Sequence, residues 1–201
     1  MLQSSISIAL IRPLIEAAAN QPPCTCEHES SPVIDAKIIK LLKNPDARMS
    51  LADADLLISK LINSNHKNSL CVISAKDAAS ESSCQLQHLF LCSNTLREAL
   101  HYLERFSALL CYGLDVNVTR TRDNIIKIKL PVNESCYLSQ ERYRSELLIS
   151  ILLGWMQQLC GEEMEISGIN LPFPQPSYAS EYNQTWNSTT SFNAGECSIQ
   201  F

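Results

Sequence analysis

The clearest pattern along the chain is helical and lies between Thr95 and Leu110, in TLREALHYLERFSALL. Apolar residues recur there every three or four positions, as on the buried face of an amphipathic helix. They are Leu96, Ala99, Leu100, Leu103, Phe106 and Leu110. Thr95 and Glu98 have the spacing of a capping box, which marks the start of the helix.

In RMSLADADLLISKLI, Ser50 and Asp53 predict a second helix start. The apolar stripe that follows is Ala54, Leu57, Ile58, Leu61 and Ile62.

Four further helices are predicted from apolar segments of suitable length. They are residues 4–19, 33–43, 81–92 and 139–160. The first is apolar on all sides, which indicates a covered helix, and Pro13 is expected to kink it. Gly161 is well placed to end the last one. Residues 20–32 are rich in proline, serine and charge and predict a flexible loop.

Strands are predicted mainly in the second half of the chain. LDVNVTRTRDNIIKIKL alternates apolar and polar residues around Asp123-Asn124, which predicts a β-hairpin. SLCVIS predicts a short buried strand, and MEISGINLPFPQPSY predicts a strand that ends in a proline-rich loop. TTSFNAGECSIQF, at Thr189–Phe201, predicts a closing hairpin around Ala194-Gly195. The order of elements favours a single α+β domain at 1–201, with a helical N-terminal part packed on a mainly antiparallel sheet.

Composition narrows the class of protein. The chain has 201 residues, of which 45% are hydrophobic and 18% charged, as in a soluble globular domain. No apolar stretch reaches the roughly 20 residues that span a bilayer. The net charge of -5 argues against nucleic acid bound by this segment itself. RTRDNIIKIK carries four cations, which we interpret as a solvated strand face rather than a phosphate site. Nine cysteines without a signal peptide favour free thiols in a reducing cytoplasm.

Motifs for catalysis or metal binding are weak. Cys24, Cys26 and His28 bring three possible ligands together in CTCEH, but their spacing does not match common structural zinc sites. We expect a linker with free thiols there, and no metal or other cofactor. The sequence has no glycine-rich phosphate loop, Gly-x-Ser-x-Gly elbow or His-Glu-x-x-His motif, so no catalytic residue is predicted. A cysteine and histidine that meet only in space leave a small thiol enzyme as an alternative.

Aromatic residues are few and concentrated in the predicted Thr95–Leu110 helix, the long helix and the late loop. With one arginine, they form the predicted ligand-binding set: Tyr102, Arg105, Phe106, Trp155, Phe173 and Tyr178. An apolar pocket with a polar anchor, here Arg105, is typical of small-molecule sites. The alternative is ordinary core packing, with Arg105 extending to solvent.

The order and spacing of several segments resemble a known family. The segments are NPDARMSLADADLLISKLI, CSNTLREALHYLERFSALL, the predicted hairpin, LLGWMQQLCGEEMEISGINLPFPQPSYASEYNQTW and TTSFNAGECSIQF. Together, over about Ile6 to Phe201, they resemble the N-terminal effector domain of one branch of the AraC/XylS transcription regulators, the arabinose-binding-like type. The family often has Gly-Leu-x-Leu-Gly where this chain has SLCVIS, and often a histidine where Phe173 stands.

The resemblance implies a bacterial regulatory domain that senses a small molecule, forms a homodimer, or both. We expect the ligand to be a small amphipathic acid or amine, bound between the Thr95–Leu110 helix and the sheet. The resemblance also implies that DNA is bound only through a C-terminal helix-turn-helix domain, expected after Phe201 and absent from this chain. A ligand-free dimerisation module, with the first helix or the Thr95–Leu110 helix as its interface, is the main alternative.

Overall fold

The computed structural model describes most of the chain. The described residues are 5–19, 36–44, 46–65, 68–72, 84–123, 125–130, 141–161 and 164–201. The predicted loop at 20–32, with Cys24, Cys26 and His28, lies outside these ranges, as do residues 73–83.

The N-terminal part contains three helices and a two-stranded sheet. The helices are α1 (Ile8–Ala19), α2 (Ala36–Leu42) and α3 (Leu51–Asn65). The strands β1 (Ser5–Ser7) and β2 (Arg48–Ser50) pair antiparallel. The apolar residues of α1 are buried, which confirms that this helix is covered. At the start of α3, the Asp53 N–H donates to the Ser50 hydroxyl at 3.1 Å, and the predicted apolar stripe is buried.

The helix predicted at Thr95–Leu110 is confirmed. It consists of α5 (Leu96–Phe106) and a 3₁₀ turn (Ser107–Leu109), and it follows a short helix, α4 (Gln85–Leu91). The Glu98 N–H donates to the Thr95 hydroxyl at 3.2 Å. The Glu98 carboxylate accepts the N–H of Asn94 at 3.0 Å. The capping residues therefore act as their spacing predicts, although the carboxylate reaches one residue beyond the cap.

The strand predicted in SLCVIS is wrong over the described residues, which form a turn at 68–71. The Val72 N–H donates to the Ser69 carbonyl at 2.9 Å, a local bond rather than a ladder bond. Cys71 is nevertheless buried, and its carbonyl accepts the Ser150 hydroxyl at 3.3 Å. The apolar residues of this segment are therefore buried, as predicted. An apolar run, however, does not by itself distinguish a buried strand from a buried turn.

The second sheet has five strands. They are β3 (Asn117–Arg120), β4 (Ile126–Lys129), β5 (Gly168–Asn170), β6 (Thr190–Ser191) and β7 (Ser198–Gln200). Their spatial order is β3-β4-β7-β5-β6, and every pair is antiparallel except β5–β6. The predicted β3–β4 hairpin is confirmed, with Val118 opposite Ile128. The α+β class and the mainly antiparallel sheet are likewise confirmed.

The predicted closing hairpin is wrong, because β5 lies between β6 and β7. Ile169 of β5 is paired with Thr190 on one side and with Ile199 on the other. A helix, α7 (Ala179–Trp186), connects β5 to β6 where the sequence predicted only a loop. Parallel neighbours need such a crossover, so α7 and the parallel pairing arise together.

The long helix α6 (Glu141–Cys160) is confirmed and lies in the centre of the fold, where it packs against α1, α4 and α5. It ends at Gly161, whose φ of +75° suits a glycine cap. Of the helices in the described ranges, none has both the length and the apolar character needed to cross a membrane.

The cap of α5 generates a stability prediction. Replacing Thr95 with alanine removes the acceptor for the Glu98 N–H and should lower the free energy of unfolding by about 1 kcal/mol. Thr95→Ser keeps a hydroxyl and serves as the matched control, with most of the wild-type stability retained. Urea unfolding followed by circular dichroism measures both variants. Equal losses for serine and alanine would show that the hydroxyl bond contributes little.

Candidate functional site

The predicted ligand-binding residues do not lie together in the structure. Tyr102 and Phe106 stack along α5 with ring centroids 6.4 Å apart. The guanidinium of Arg105 lies 5.2 Å from the centre of the Phe106 ring. Arg105 is exposed, which agrees with the alternative in which this arginine extends to solvent.

The other predicted aromatic residues lie deeper in the chain. Trp155 of α6 is 1% exposed and contacts Phe90 of α4, with ring centroids 5.8 Å apart. Phe173 is also buried and contacts Phe192. Trp155 therefore packs in the core beneath α4. Phe173 instead contacts Phe192, which lies between β6 and β7.

A groove of about 560 Å³ lies between α5 and the β3–β4 hairpin. Its lining residues are Arg97, Leu100, His101, Glu104, Val118, Thr119, Arg120 and Ile126. Its volume is within the range of small-molecule sites, about 300–1,000 Å³. The groove occupies the predicted place, between the helix and the sheet. Its α5 residues, however, are not the predicted Tyr102, Arg105 and Phe106.

The groove combines an apolar floor with charged edges. Leu100 is 3% exposed, and Val118 and Ile126 are half-buried, whereas Arg97 and His101 are exposed. The Glu104 carboxylate accepts the Val118 N–H at 3.1 Å, which fastens α5 to the edge strand. The α5 lining residues recur every three or four positions. Because three of the four, Arg97, His101 and Glu104, are polar, that periodicity resembles a solvated face in the sequence.

A smaller groove of about 200 Å³ lies between α2 and α3. Three of its four charged residues, Lys37, Arg48 and Asp53, are used within the fold. The Arg48 side chain donates to the hydroxyl and carbonyl of Ser5 and to the carbonyl of Leu109. Lys37 pairs with Asp53 at 3.7 Å. We therefore regard the larger groove as the candidate site.

Tyr178 belongs to a row of buried polar groups between α6 and α7, which we call the polar seam. Its members are Arg142, Glu146 and Ser150 on α6, and Tyr178, Tyr182 and Trp186 at or within α7. Both sets are spaced four residues apart, so each forms a row along one helix face. Tyr178 and Tyr182 donate to the Glu146 carboxyl, Tyr178 at 2.9 Å. The Trp186 indole N–H donates to the Ser150 hydroxyl at 3.1 Å. Glu146 was not predicted from the sequence, where its signal is an acidic residue directly before the apolar run that starts at Leu147.

Burial dominates the electrostatics of the seam. Desolvation raises the pKa of Glu146 to about 7, although the tyrosine hydrogen bonds and Arg142 oppose the change. Burial and the neighbouring carboxyl raise the pKa of both Tyr178 and Tyr182. The Arg142 Nε lies 3.8 Å from Glu146. The second oxygen of Glu146 has no hydrogen-bond partner within the described part of the chain. Neither groove described above is lined by Glu146.

The thiols and acidic groups offer little for catalysis or metal binding. Desolvation raises the pKa of Cys71, Cys84 and Cys160, which disfavours the reactive thiolate. Among the described residues, no three histidine, cysteine or acidic side chains are grouped as metal ligands. In the basic segment RTRDNIIKIK, Lys127 and Lys129 pair with Glu196, so these two cations stabilise the strand rather than form an open phosphate site.

Comparison with known proteins gives a family and a fold. Residues 36–201 match the family model described as the N-terminal arabinose-binding domain of AraC transcription regulators. Among solved structures, the chain is similar to the transcriptional regulator CdpR from Pseudomonas aeruginosa, with a TM-score of 0.52 and 15% sequence identity. The similarity covers 96% of this chain and 54% of the CdpR chain, so this chain spans about half of CdpR. At that identity the likeness concerns the fold. No match was found among curated proteins.

The polar seam predicts a stability that depends on pH. Below about pH 4.5 Glu146 is protonated in both the folded and the unfolded chain. From there to about pH 7 only the folded chain keeps the proton, so the free energy of unfolding falls as the pH rises. The total loss should be roughly 3 kcal/mol, at about 1.4 kcal/mol per pH unit.

Glu146→Gln imitates the protonated carboxyl and should remove this slope. The variant should resemble the wild type at pH 5 and be more stable than it at pH 8. Exposed Glu165 provides the control Glu165→Gln, which should retain the wild-type slope. Urea unfolding across this pH range is the measurement. A slope that persists in Glu146→Gln would assign the dependence to another group.

Proposed function

Because the chain belongs to the family of N-terminal arabinose-binding domains of AraC transcription regulators, we propose that it senses a small molecule. In this proposal, the bound molecule changes DNA binding by another domain of the same regulator. The family is one of transcription regulators rather than enzymes.

The observation that carries the proposal is the groove between α5 and the β3–β4 hairpin. It is large enough for a small molecule and has both an apolar floor and charged edges. The proposal moves the expected ligand contacts from Tyr102, Arg105 and Phe106 to the neighbouring face of α5. It assigns Trp155 to the core and Tyr178 to the polar seam.

The groove also suggests how binding is transmitted. A ligand shifts a conformational equilibrium only if it binds one arrangement better than another. One wall of the groove is α5, which packs on the interior, and the other is β3, an edge strand of the sheet. A ligand that contacts both walls favours the arrangement in which α5 and β3 are close together. We propose that the position of the hairpin relative to α5 is the transmitted signal.

Homodimerisation is the second part of the proposal, and one observation favours it. Leu109 and Tyr112, just after α5, are 47% and 37% exposed although both are large and apolar. The large apolar residues of α1, by contrast, are buried within the chain, so we propose the end of α5 rather than α1 as the interface. Native mass spectrometry reports the mass of the assembly and any co-purified ligand together. A dimer with neither a co-purified ligand nor a stabilising one would favour the ligand-free module.

Blocking the groove should abolish sensing. Thr119 is an exposed groove residue on β3, and Thr119→Trp places an indole in the space that the ligand would occupy. The control is Asn117→Trp, an exposed position on the same strand that does not line the groove. We expect a thermal-shift screen of carboxylates, amines, amino acids and pentoses to find a compound that stabilises the wild type and the control but not Thr119→Trp. At a ligand concentration of 100 times Kd, the stabilisation should be about 2.7 kcal/mol.

Two results would contradict this expectation. If the compound stabilises Thr119→Trp as much as the wild type, the ligand binds outside the groove. If no compound stabilises the wild type and none co-purifies with it, the sensing function itself is wrong.

A further inference from the structure

We propose that the groove selects an amphipathic carboxylate, which it binds at a cationic end formed by Arg97 and Arg120, with His101 beside Arg97 as a further hydrogen-bonding group. This inference rests on the proposed sensing function and decides between the acid and the amine that the sequence leaves open. It follows from where the charges lie along the groove and from which of them are already paired.

The bond between Glu104 and Val118 sets the direction of the groove. It joins the C-terminal half of α5 to β3. From this bond, the lining residues of α5 run back to Arg97, and those of β3 run forward to Arg120. With a rise of about 1.5 Å per helical residue and 3.3 Å per strand residue, both arginines lie roughly 7–10 Å along the groove from the bond. Because both also line the same groove, we infer that they form its end away from Glu104.

The guanidinium of Arg97 is available to a ligand. It makes no hydrogen bond or ion pair with any residue in the described ranges, and it is exposed. His101 follows Arg97 by four residues, so both side chains lie on the same face of α5. An arginine donates two parallel hydrogen bonds to a carboxylate, a geometry that an alcohol does not match. The chain as a whole has a net charge of -5, so this cationic end is a local feature.

An amine ligand would need a carboxylate partner, and the carboxylate that lines the groove is already engaged. Glu104 is the acidic residue among the lining residues, and one of its oxygens is already bonded to the Val118 N–H. Between Glu104 and the cationic end lies the apolar floor of Leu100, Val118 and Ile126. A short aliphatic or aromatic body would cover this floor while its carboxylate reaches Arg97 and Arg120.

Three compounds that share one apolar body test the choice of head group. Hexanoate, hexylamine and 1-hexanol are titrated separately into the full chain, and binding is followed by backbone amide chemical shifts. We expect hexanoate to bind about ten-fold or more tightly than either of the others, as loss of a charge-assisted pair implies. The shifts should be largest for Leu100, Val118 and Thr119.

Arg97→Gln tests the residue itself. It should weaken hexanoate binding about ten-fold and leave 1-hexanol binding unchanged. Arg122→Gln is the matched control, because Arg122 is exposed in the turn of the same hairpin and does not line the groove. It should bind hexanoate like the wild type.

Several results would overturn the carboxylate proposal. They are tighter binding of hexylamine, equal binding of all three compounds, and unchanged hexanoate binding in Arg97→Gln. If none of the three binds, but a compound from the screen still requires an open groove at Thr119, the carboxylate class is wrong and the sensing function stands. If that screen also finds no ligand, both proposals fail.

Discussion

Glu146 needs hydrogen-bond donors because its side chain is completely buried, and the two tyrosines beside it supply them. A buried carboxyl without donors would cost several kcal/mol. This requirement places α7 along α6, since Tyr178 and Tyr182 must reach Glu146 while Trp186 reaches Ser150. Because α7 connects β5 to β6, the same contacts determine where β6 lies. The parallel pair in an otherwise antiparallel sheet thus depends on a polar contact in the core.

The helix α5 contributes residues both to the core and to the groove. Ala99, Leu100 and Leu103 are buried and fasten it to the interior, including α6. Its next face carries Arg97, His101 and Glu104 and forms one wall of the groove. Leu100 belongs to both surfaces, so the floor of the groove is also part of the core. The floor is therefore held by core packing, while the charged side chains at the edges keep the freedom of exposed groups.

Local patterns were sufficient to predict several elements. The starts of α3 and α5 follow from capping residues that bond within a few positions of themselves, and such bonds depend little on the rest of the chain. The β3–β4 hairpin is similarly local. The pairing of β5 with both β6 and β7 was not predictable in this way, since the alternation in TTSFNAGECSIQF marks strands but not their neighbours. The family resemblance identified the class of domain, which the family match confirms.

The groove lies between the helix and the sheet, where a pocket was expected, but it is not lined by the predicted residues, and the reason is physical. The predicted ligand contacts were aromatic residues around one arginine. Large apolar side chains, however, gain the most free energy when they are buried in the core. Trp155 does so, and Tyr178 turns to Glu146. The edges of the groove are instead formed by residues whose polar side chains keep them at the surface, among them Arg97, His101 and Arg120.

The two sides of the groove are held very differently. On one side, α5 packs on α6, which is itself fixed by the polar seam and by its packing against α1 and α4. The strand β3 is the edge of the sheet, and its one strand neighbour is β4. Lys127 and Lys129 of β4 pair with Glu196, which stabilises β4 against the segment that leads into β7. Within the sheet β3 is thus paired on one side by β4, and on its other side the Glu104 carboxylate of α5 accepts the Val118 N–H. In the proposed mechanism, a molecule that bridges α5 and β3 adds to this contact between the helix and the edge strand, while the core beneath α5 keeps its shape.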